Sequence, residues 1–532
     1  METSALEQNS LTQDPLKMSL AQSISKGTIF GVLANLVRYG TRLVLIPIII
    51  VHIGLGGYGI WATLLVIAGY LRFGSSGIKA TFQKYVAEAM GKGEFERANQ
   101  LVTTGTIIFI GISAAVLIPA AIFSRFVAHV VGIPAQYMQA STIAITVMAI
   151  AYLISNGFAV FESAVLGAHR VDLMQYFTMI FMVFDLVFCI VALRLGYGLA
   201  ALAVGMALSE VGYAVCGFLV ARRVVPQISL RLKYLTTEVL RELVRFSGSY
   251  QLLNIMELFY VGVVPIVLLR ELGANAVGVF AICDRLTRVM TLGLESSLVP
   301  LLSGSTTIFA GGSSARMRTF LSKVFKLCLI LTVLPLSFAV VFGPPAVLAW
   351  TGQINPLFRY GILLVCLTSF FRSLAKVGMV MYRSTGAASM DIVAQLLRIV
   401  VLLLVIVLGK RWGFYGALSG LALAEFGGMV FMLEMLFRKL HCFGLPRLFS
   451  EAAHVSISAL LVVGVGKILE VVSLHFHTAS RMFVSVQLSV ISIVVLALVW
   501  PTFILTNYLS PDDRTQILKM VLPSRRTVAR AH

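Results

Sequence analysis

The sequence predicts an all-α polytopic membrane protein of about 14 transmembrane helices. They form two six-helix lobes related by a pseudo-twofold axis along the membrane normal, plus two C-terminal helices. Three observations carry this expectation. Apolar runs of about 18 residues or more recur from end to end, each long enough to cross the hydrocarbon core as a helix. Charged residues make up only 12% of the chain while 58% is hydrophobic, and a soluble domain carries about twice that charge. Finally, a shift of 219 residues lays one half of the chain on the other, with turn glycines meeting turn glycines.

The chain begins with a polar tail, 1–27, in which the first 24 residues have no apolar h-region, so no cleaved signal peptide is expected. The first lobe, 28–222, holds spans near 28–52, 58–80, 100–124, 139–165, 173–193 and 198–221. Gly54, Gly56, Gly57 and Gly59 make the turn between its first two spans. A linker, 223–246, follows. Within it Arg231–Phe246 spaces apolar residues among charges and reads as an amphipathic helix on the membrane surface. The second lobe, 247–440, holds spans near 247–270, 275–305, 322–349, 360–383, 389–409 and 412–437. Two more spans, near 452–470 and 482–508, occupy 441–508, and a basic tail fills 509–532. Pro226, Pro344, Pro345, Pro446 and Pro511 are expected at connections, where a missing donor does least harm.

The net charge of +19 is explained by orientation, without invoking nucleic acid. With the N-terminus inside, the inside segments hold 26 of the 42 Lys and Arg, the outside segments 8 and the membrane 8. That bias places both termini in the cytoplasm. Trp61, Trp350 and Trp412 fall at outer ends of spans, as interfacial anchors do. Cys189, Cys216, Cys283, Cys328, Cys366 and Cys442 form no CxxC pair and read as packing residues, not as metal ligands or disulfides.

The repeat pairs Asn35 with Asn254, Gly54 with Gly273, Gly59 with Gly278, Gly93 with Gly312 and Arg97 with Arg316. Pro47 and Pro265 come within one residue of alignment and are hinge candidates in the first helix of each lobe, or merely tolerated kinks. Two same-way lobes around a central site are the machinery of alternating access.

The charges inside the membrane mark the site. An arginine at the centre of a spanning helix costs roughly 2.5–3.5 kcal/mol unless it faces protein, water or a ligand. Arg38 and Arg42 lie four residues apart on one face of the first span and point to an anion-binding cavity; snorkelling to an interface is the bland alternative. Arg72, Arg285 and Arg288 add to this set, while Arg372, Lys376 and Arg398 read as cavity or interface charges of the second lobe. Glu257 corresponds to Arg38 across the repeat, which predicts an ion pair or gate between the lobes or a static buried pair. Asp284 and Asp185 are further gating or coupling candidates, and Asp185, Glu162, Glu210 and Glu425 are membrane carboxylates that either carry a coupling proton or Na⁺ or serve as capped or paired structural groups. No Walker A, HExxH or GxSxG pattern occurs, so no enzyme activity, cofactor or metal is expected.

The stretches SKGTIFGVLANLVRYG, GLGGYGIWATLLVIAGYLRFGSSG and GKGEFERA, in that order, resemble the start of a Wzx-type polysaccharide flippase. Those proteins share a superfamily with multidrug and toxin extrusion exporters and lipid II flippases. The resemblance implies a bacterial inner-membrane protein that moves an undecaprenyl-pyrophosphate-linked oligosaccharide repeat unit to the outer leaflet, with membrane lipids and a polysaccharide polymerase as partners. Lipid II flippases hold pyrophosphate with arginines on their first, second and eighth helices, and Arg38, Arg42, Arg72, Arg285 and Arg288 occupy those helices here. Gly57-Tyr58-Gly59-Ile60-Trp61 replaces the Asp-Ala-Phe stretch of lipid II flippases, which favours the polysaccharide branch. A cation-coupled exporter of small molecules and a lipid II flippase remain the alternatives.

Overall fold

A computed structural model describes residues 20–72, 85–86, 88–90, 92–168, 170–295, 301, 305, 314–384, 389–408, 410–440, 445–474, 486–488, 490, 491 and 494. The basic tail, most of the fourteenth span, Cys442, His475 and His477 lie outside them.

Among the described residues the regular elements are all helices. In chain order they are α1 Leu20–Leu71, α2 Phe95–Ile122, α3 Ser124–Val131, α4 Ala135–Gly167, α5 Val171–Arg194, α6 Gly198–Val224 and α7 Thr237–Leu272. Then follow α8 Ala274–Met290, α9 Ser314–Thr351, α10 Leu357–Ser384, α11 Ser389–Leu408, α12 Gly413–Leu440 and α13 Leu445–Leu474. Among the described residues eleven of these are long and apolar enough to cross a membrane. The first of them, at about 1.5 Å per residue, has twice the length one crossing needs. It breaks at Gly54, whose φ of 76° and ψ of 171° are not helical, so α1 supplies the first two spans. With α8, 17 residues long, thirteen of the fourteen expected spans are accounted for.

Three boundaries differ from the sequence reading. The amphipathic stretch is not a separate helix: a short 3-10 turn at Leu232–Tyr234 is followed by α7, which runs unbroken for 36 residues into the seventh span. A glycine such as Gly248 costs about 1 kcal/mol in a helix and does not break it. Pro344 and Pro345 lie in the last turns of α9, and Pro446 sits just inside the start of α13, where a proline is well tolerated. Trp61 is buried, 3% exposed, and packs within the protein; Trp412, 68% exposed, stands where an interfacial anchor would. Pro47 and Pro265 both lie inside continuous helices.

By contacts the chain divides into two compact units, 1–278 and 279–532. In the first, α4 packs on α6 and α2, and α1 packs on α5, α4 and α7. The buried residues of α4 and α6 include many small ones, among them Ala144, Ser155, Ala159, Ala203 and Ala207, and Gly205 of α6 lies against Phe188 and Cys189 of α5. Lipid tails are as apolar as leucine, so membrane helices associate through close backbone approach, which small residues permit. Arg270, at the end of α7, donates to the Val130 carbonyl at the end of α3, beside Gly132 in its left-handed cap. In the second unit α9, α10, α12 and α13 enclose a core that includes Phe325, Leu374, Met432 and Leu436.

The repeat is visible in the backbone. Gly54 and Gly273, 219 residues apart, share one conformation: φ 76° and ψ 171° against φ 84° and ψ 178°. Just beyond them the chain touches itself. A Cβ on Gly59 would overlap the Ala274 carbonyl and fall 2.8 Å from the Gly278 nitrogen; one on Gly278 would fall 2.5 Å from the Leu55 carbonyl oxygen. Leu55 and Ala274 are themselves repeat equivalents, so the contact is self-complementary, as contacts across a twofold axis are. Only glycine at both positions lets the two backbones meet.

Candidate functional site

In the first unit, the structure brings each of two arginines to a carboxylate. Arg72, at the end of α1, pairs with Glu210 of α6 at 3.3 Å, and Ser155 of α4 donates to the same carboxylate at 3.2 Å. The Arg72 guanidinium also lies 6.0 Å from the Tyr152 ring centroid. Arg42 interacts electrostatically with Asp185 of α5, which accepts a bond from the Cys189 thiol at 3.5 Å. Tyr213 donates to Glu162 at 2.8 Å. Arg38, one turn before Arg42, is exposed, and Gly40 beside it has open space around it. Glu257 is exposed too. The expected Arg38–Glu257 ion pair does not form: among the described residues neither side chain has a salt-bridge partner.

The second unit gathers the remaining charges. On α8, Arg288 pairs with Asp284 at 2.6 Å, and Asp284 also interacts electrostatically with Arg285 and with Arg372 of α10. Arg372 donates to Glu425 of α12 at 2.8 Å. Arg398 of α11 approaches the other oxygen of Glu425 at 3.5 Å and donates to Gln395 at 3.3 Å. Lys376, one turn after Arg372, donates to Glu295 at 2.6 Å. These named groups comprise five cations and three carboxylates, a positive surplus placed where an unmatched charge is costly.

Burial divides this network in two. Glu425 and Arg398 are enclosed, with side chains 1% and 5% exposed. Arg398 lies over the bare backbone of Gly428, where a Cβ would fall 2.7 Å from its Cγ. The other groups are more open: Arg288 of α8 is 44% exposed, Lys376 of α10 and Glu295, beyond the end of α8, 36% each, and Asp284 and Arg372 24% and 21%. The lipid-type stripe of α10, Tyr360, Leu363 and Leu367, is exposed as well. At about 100° per residue Arg372 and Lys376 point roughly 150–190° away from that stripe. They lie on the opposite side of α10, where Arg372 reaches Glu425 of α12.

Sequence reasoning found Arg285 and Arg288 but not their link to Arg372 and Lys376. The i, i+4 spacing of Arg372 and Lys376 was the signal available. Nothing in the sequence tied either to Glu425 or Glu295, or marked Gly428 as a seat. Among the described residues no group of three His, Cys, Asp or Glu is arranged to hold a metal ion. Cys189, Cys283, Cys328 and Cys366 are buried free thiols, as packing residues should be. A shallow groove of about 660 Å³ lined by Ile122, Phe123, Arg125, Phe126 and His129 is mostly apolar and includes none of the paired groups above.

The fold is that of a multi-pass, all-helical membrane protein with charged groups among its apolar helices. The chain is similar to a lipid II flippase, MurJ, in an inward closed conformation, with a TM-score of 0.67, 12% identity, and 89% of this chain and 99% of that one covered. It is similar to a multidrug resistance MATE family transporter in an inward-facing conformation, with a TM-score of 0.65, 14% identity, and 75% and 94% covered. A MOP superfamily transporter from Pyrococcus furiosus, reported with a binding pocket of reverse polarity, aligns at a TM-score of 0.56 and 14% identity over 80% and 97%. None of the curated proteins matches in sequence. Residues 57–354 match the family described as "Polysaccharide biosynthesis protein", more than half of the chain, and the protein belongs to that family.

Proposed function

We propose that this protein is a flippase. It moves an oligosaccharide repeat unit on undecaprenyl pyrophosphate from the inner to the outer leaflet of the bacterial inner membrane, for surface polysaccharide assembly. The observation that carries this reading is the cluster of Arg285, Arg288, Arg372, Lys376 and Arg398 with Asp284, Glu295 and Glu425 in the second unit, in a chain of the polysaccharide biosynthesis family. A pyrophosphate is a compact multiple anion, and arginine meets it with paired, charge-assisted hydrogen bonds. Arg285 and Arg288 hold it from α8, and Arg38, Arg42 and Arg72 from α1. The lipid tail stays in the membrane while the headgroup exchanges its water for guanidinium donors.

Both termini face the cytoplasm in this reading, and the turns at Gly54 and Gly273 face outside. The lobes 28–222 and 247–440 rock about the site, with Pro47 and Pro265 as hinges. Glu257, Asp284 and Asp185 gate or couple the motion, the open Arg38 and Glu257 pairing at another stage of the cycle. A polymerase removes the product outside. Cation-coupled export of a small molecule is the competing reading, and it rests on the acids of the first unit. Two of the acids there, Glu210 and Asp185, already face arginines, which weakens it as a cation site.

Deletion of the gene tests the proposal. Lipid-linked oligosaccharide, extracted and weighed by mass spectrometry, should build up, and wild type but not a normally expressed Arg38→Ala/Arg42→Ala variant should cure it. Intact surface glycan with no build-up, in a strain lacking a second flippase, rejects the proposal.

A further inference from the structure

We infer that Arg372 and Lys376 of α10 belong to the headgroup site, and that Glu295 is a built-in counter-ion which an entering phosphate displaces. The inference rests on the flippase reading above and adds to it a second helix and an exchange step.

Three observations lead to it. Arg372 and Lys376 sit one turn apart on the face of α10 turned away from its lipid-type stripe. Arg372 lies within electrostatic reach of Asp284 and Arg288, so α8 and α10 present one continuous group of charges. The pairs also differ in how easily they open. Lys376 and Glu295 are each 36% exposed, so they can part without leaving either charge dry.

Arg372 has a different partner with the same consequence. Glu425, 1% exposed, could not be left alone, but it is held from two sides. When Arg372 turns towards a ligand, Arg398 keeps Glu425 neutralised from its seat on Gly428. Arg398 is the fixed cation and Arg372 the releasable one. A lone buried pair would have served packing; two arginines on one carboxylate, one enclosed and one 21% exposed, serve exchange.

The ligand chemistry is a phosphate or pyrophosphate group. An anion that reaches Lys376 competes with the Glu295 carboxylate for the same ammonium, so removing Glu295 must strengthen anion binding. This sign separates a binding role from a structural one.

The test uses the purified full chain in nanodiscs, with inorganic pyrophosphate as the probe and calorimetry as the readout. Lys376→Gln and Arg372→Gln should each weaken binding about tenfold, the loss of one charged hydrogen bond. Glu295→Gln should tighten it about fivefold, the release of one partly exposed ion pair. Thermal unfolding without pyrophosphate monitors folding of each variant. Loss of binding in all three variants makes the pair structural and overturns the inference. Binding that none of the three changes, but that Arg285→Gln/Arg288→Gln abolishes, overturns it while leaving the flippase reading standing. Absence of pyrophosphate binding by the wild-type protein counts against both.

Discussion

Alanine at Gly278 should force apart the two backbones that meet beside Gly54 and Gly273. Its Cβ would start 2.5 Å from the Leu55 carbonyl oxygen, with Leu55 Cδ1 at 2.9 Å and Cγ at 3.0 Å. A carbon and a carbonyl oxygen rest at about 3.3–3.6 Å, so the backbones must separate by roughly 1 Å. Overpacking of this kind costs about 1–3 kcal/mol, and a backbone neighbour places it at the upper end because no rotamer change relieves it. The better helix propensity of alanine returns up to about 1 kcal/mol. The net penalty on the closed contact is about 1–2 kcal/mol, which moves a two-state balance towards separation roughly 5- to 30-fold. A cysteine at Ala276, 6% exposed, reports the change. In a background free of the six native cysteines, its labelling by a membrane-impermeant maleimide should speed up by that factor in Gly278→Ala. An unchanged rate in a folded variant would refute the claim that glycine is required there.

Three further predictions follow from single features. Gly40→Ala meets no atom within 4 Å and should keep or raise stability by up to about 1 kcal/mol in thermal unfolding; a clear loss would mean that this space is filled in the protein. Gly428→Ala displaces Arg398 from Glu425 and should cost about 3 kcal/mol, the penalty of breaking a buried ion pair, seen as a large fall in Tm. Brominated lipids should quench Trp412 but not Trp61, and equal quenching of both would contradict the burial of Trp61.

The span pattern was legible because hydropathy is a local property and each crossing is written in about 20 consecutive residues. The turns were legible for a related reason: Gly54 and Gly273 need a backbone conformation that few other residues adopt, and the repeat displays the need twice. The arginine pair on the first span was found by its rarity. What stayed hidden depends on distance along the chain. Arg72 meets Glu210, 138 positions away, and Arg372 meets Glu425, 53 positions away. No periodicity encodes such partners. Trp61 misled because a span end looks the same in sequence whether it faces lipid or a neighbouring helix. The unbroken α7 was missed because an amphipathic stretch and an apolar one can share a helix when no proline divides them. The Arg38–Glu257 pair was inferred from repeat geometry alone, and repeat equivalence aligns two helices without fixing the reach of their side chains.

The central claim is that a cationic interior carries a pyrophosphate headgroup across the membrane. Reconstitution tests it most directly. The purified protein goes into liposomes holding undecaprenyl-pyrophosphate oligosaccharide in both leaflets, and the fraction of headgroups open to an added glycosidase is followed over time. The account predicts that wild type exposes the protected leaflet and that Arg285→Gln/Arg288→Gln, inserted to the same level, does not. Equal exposure by both proteins, or none by wild type, would contradict it.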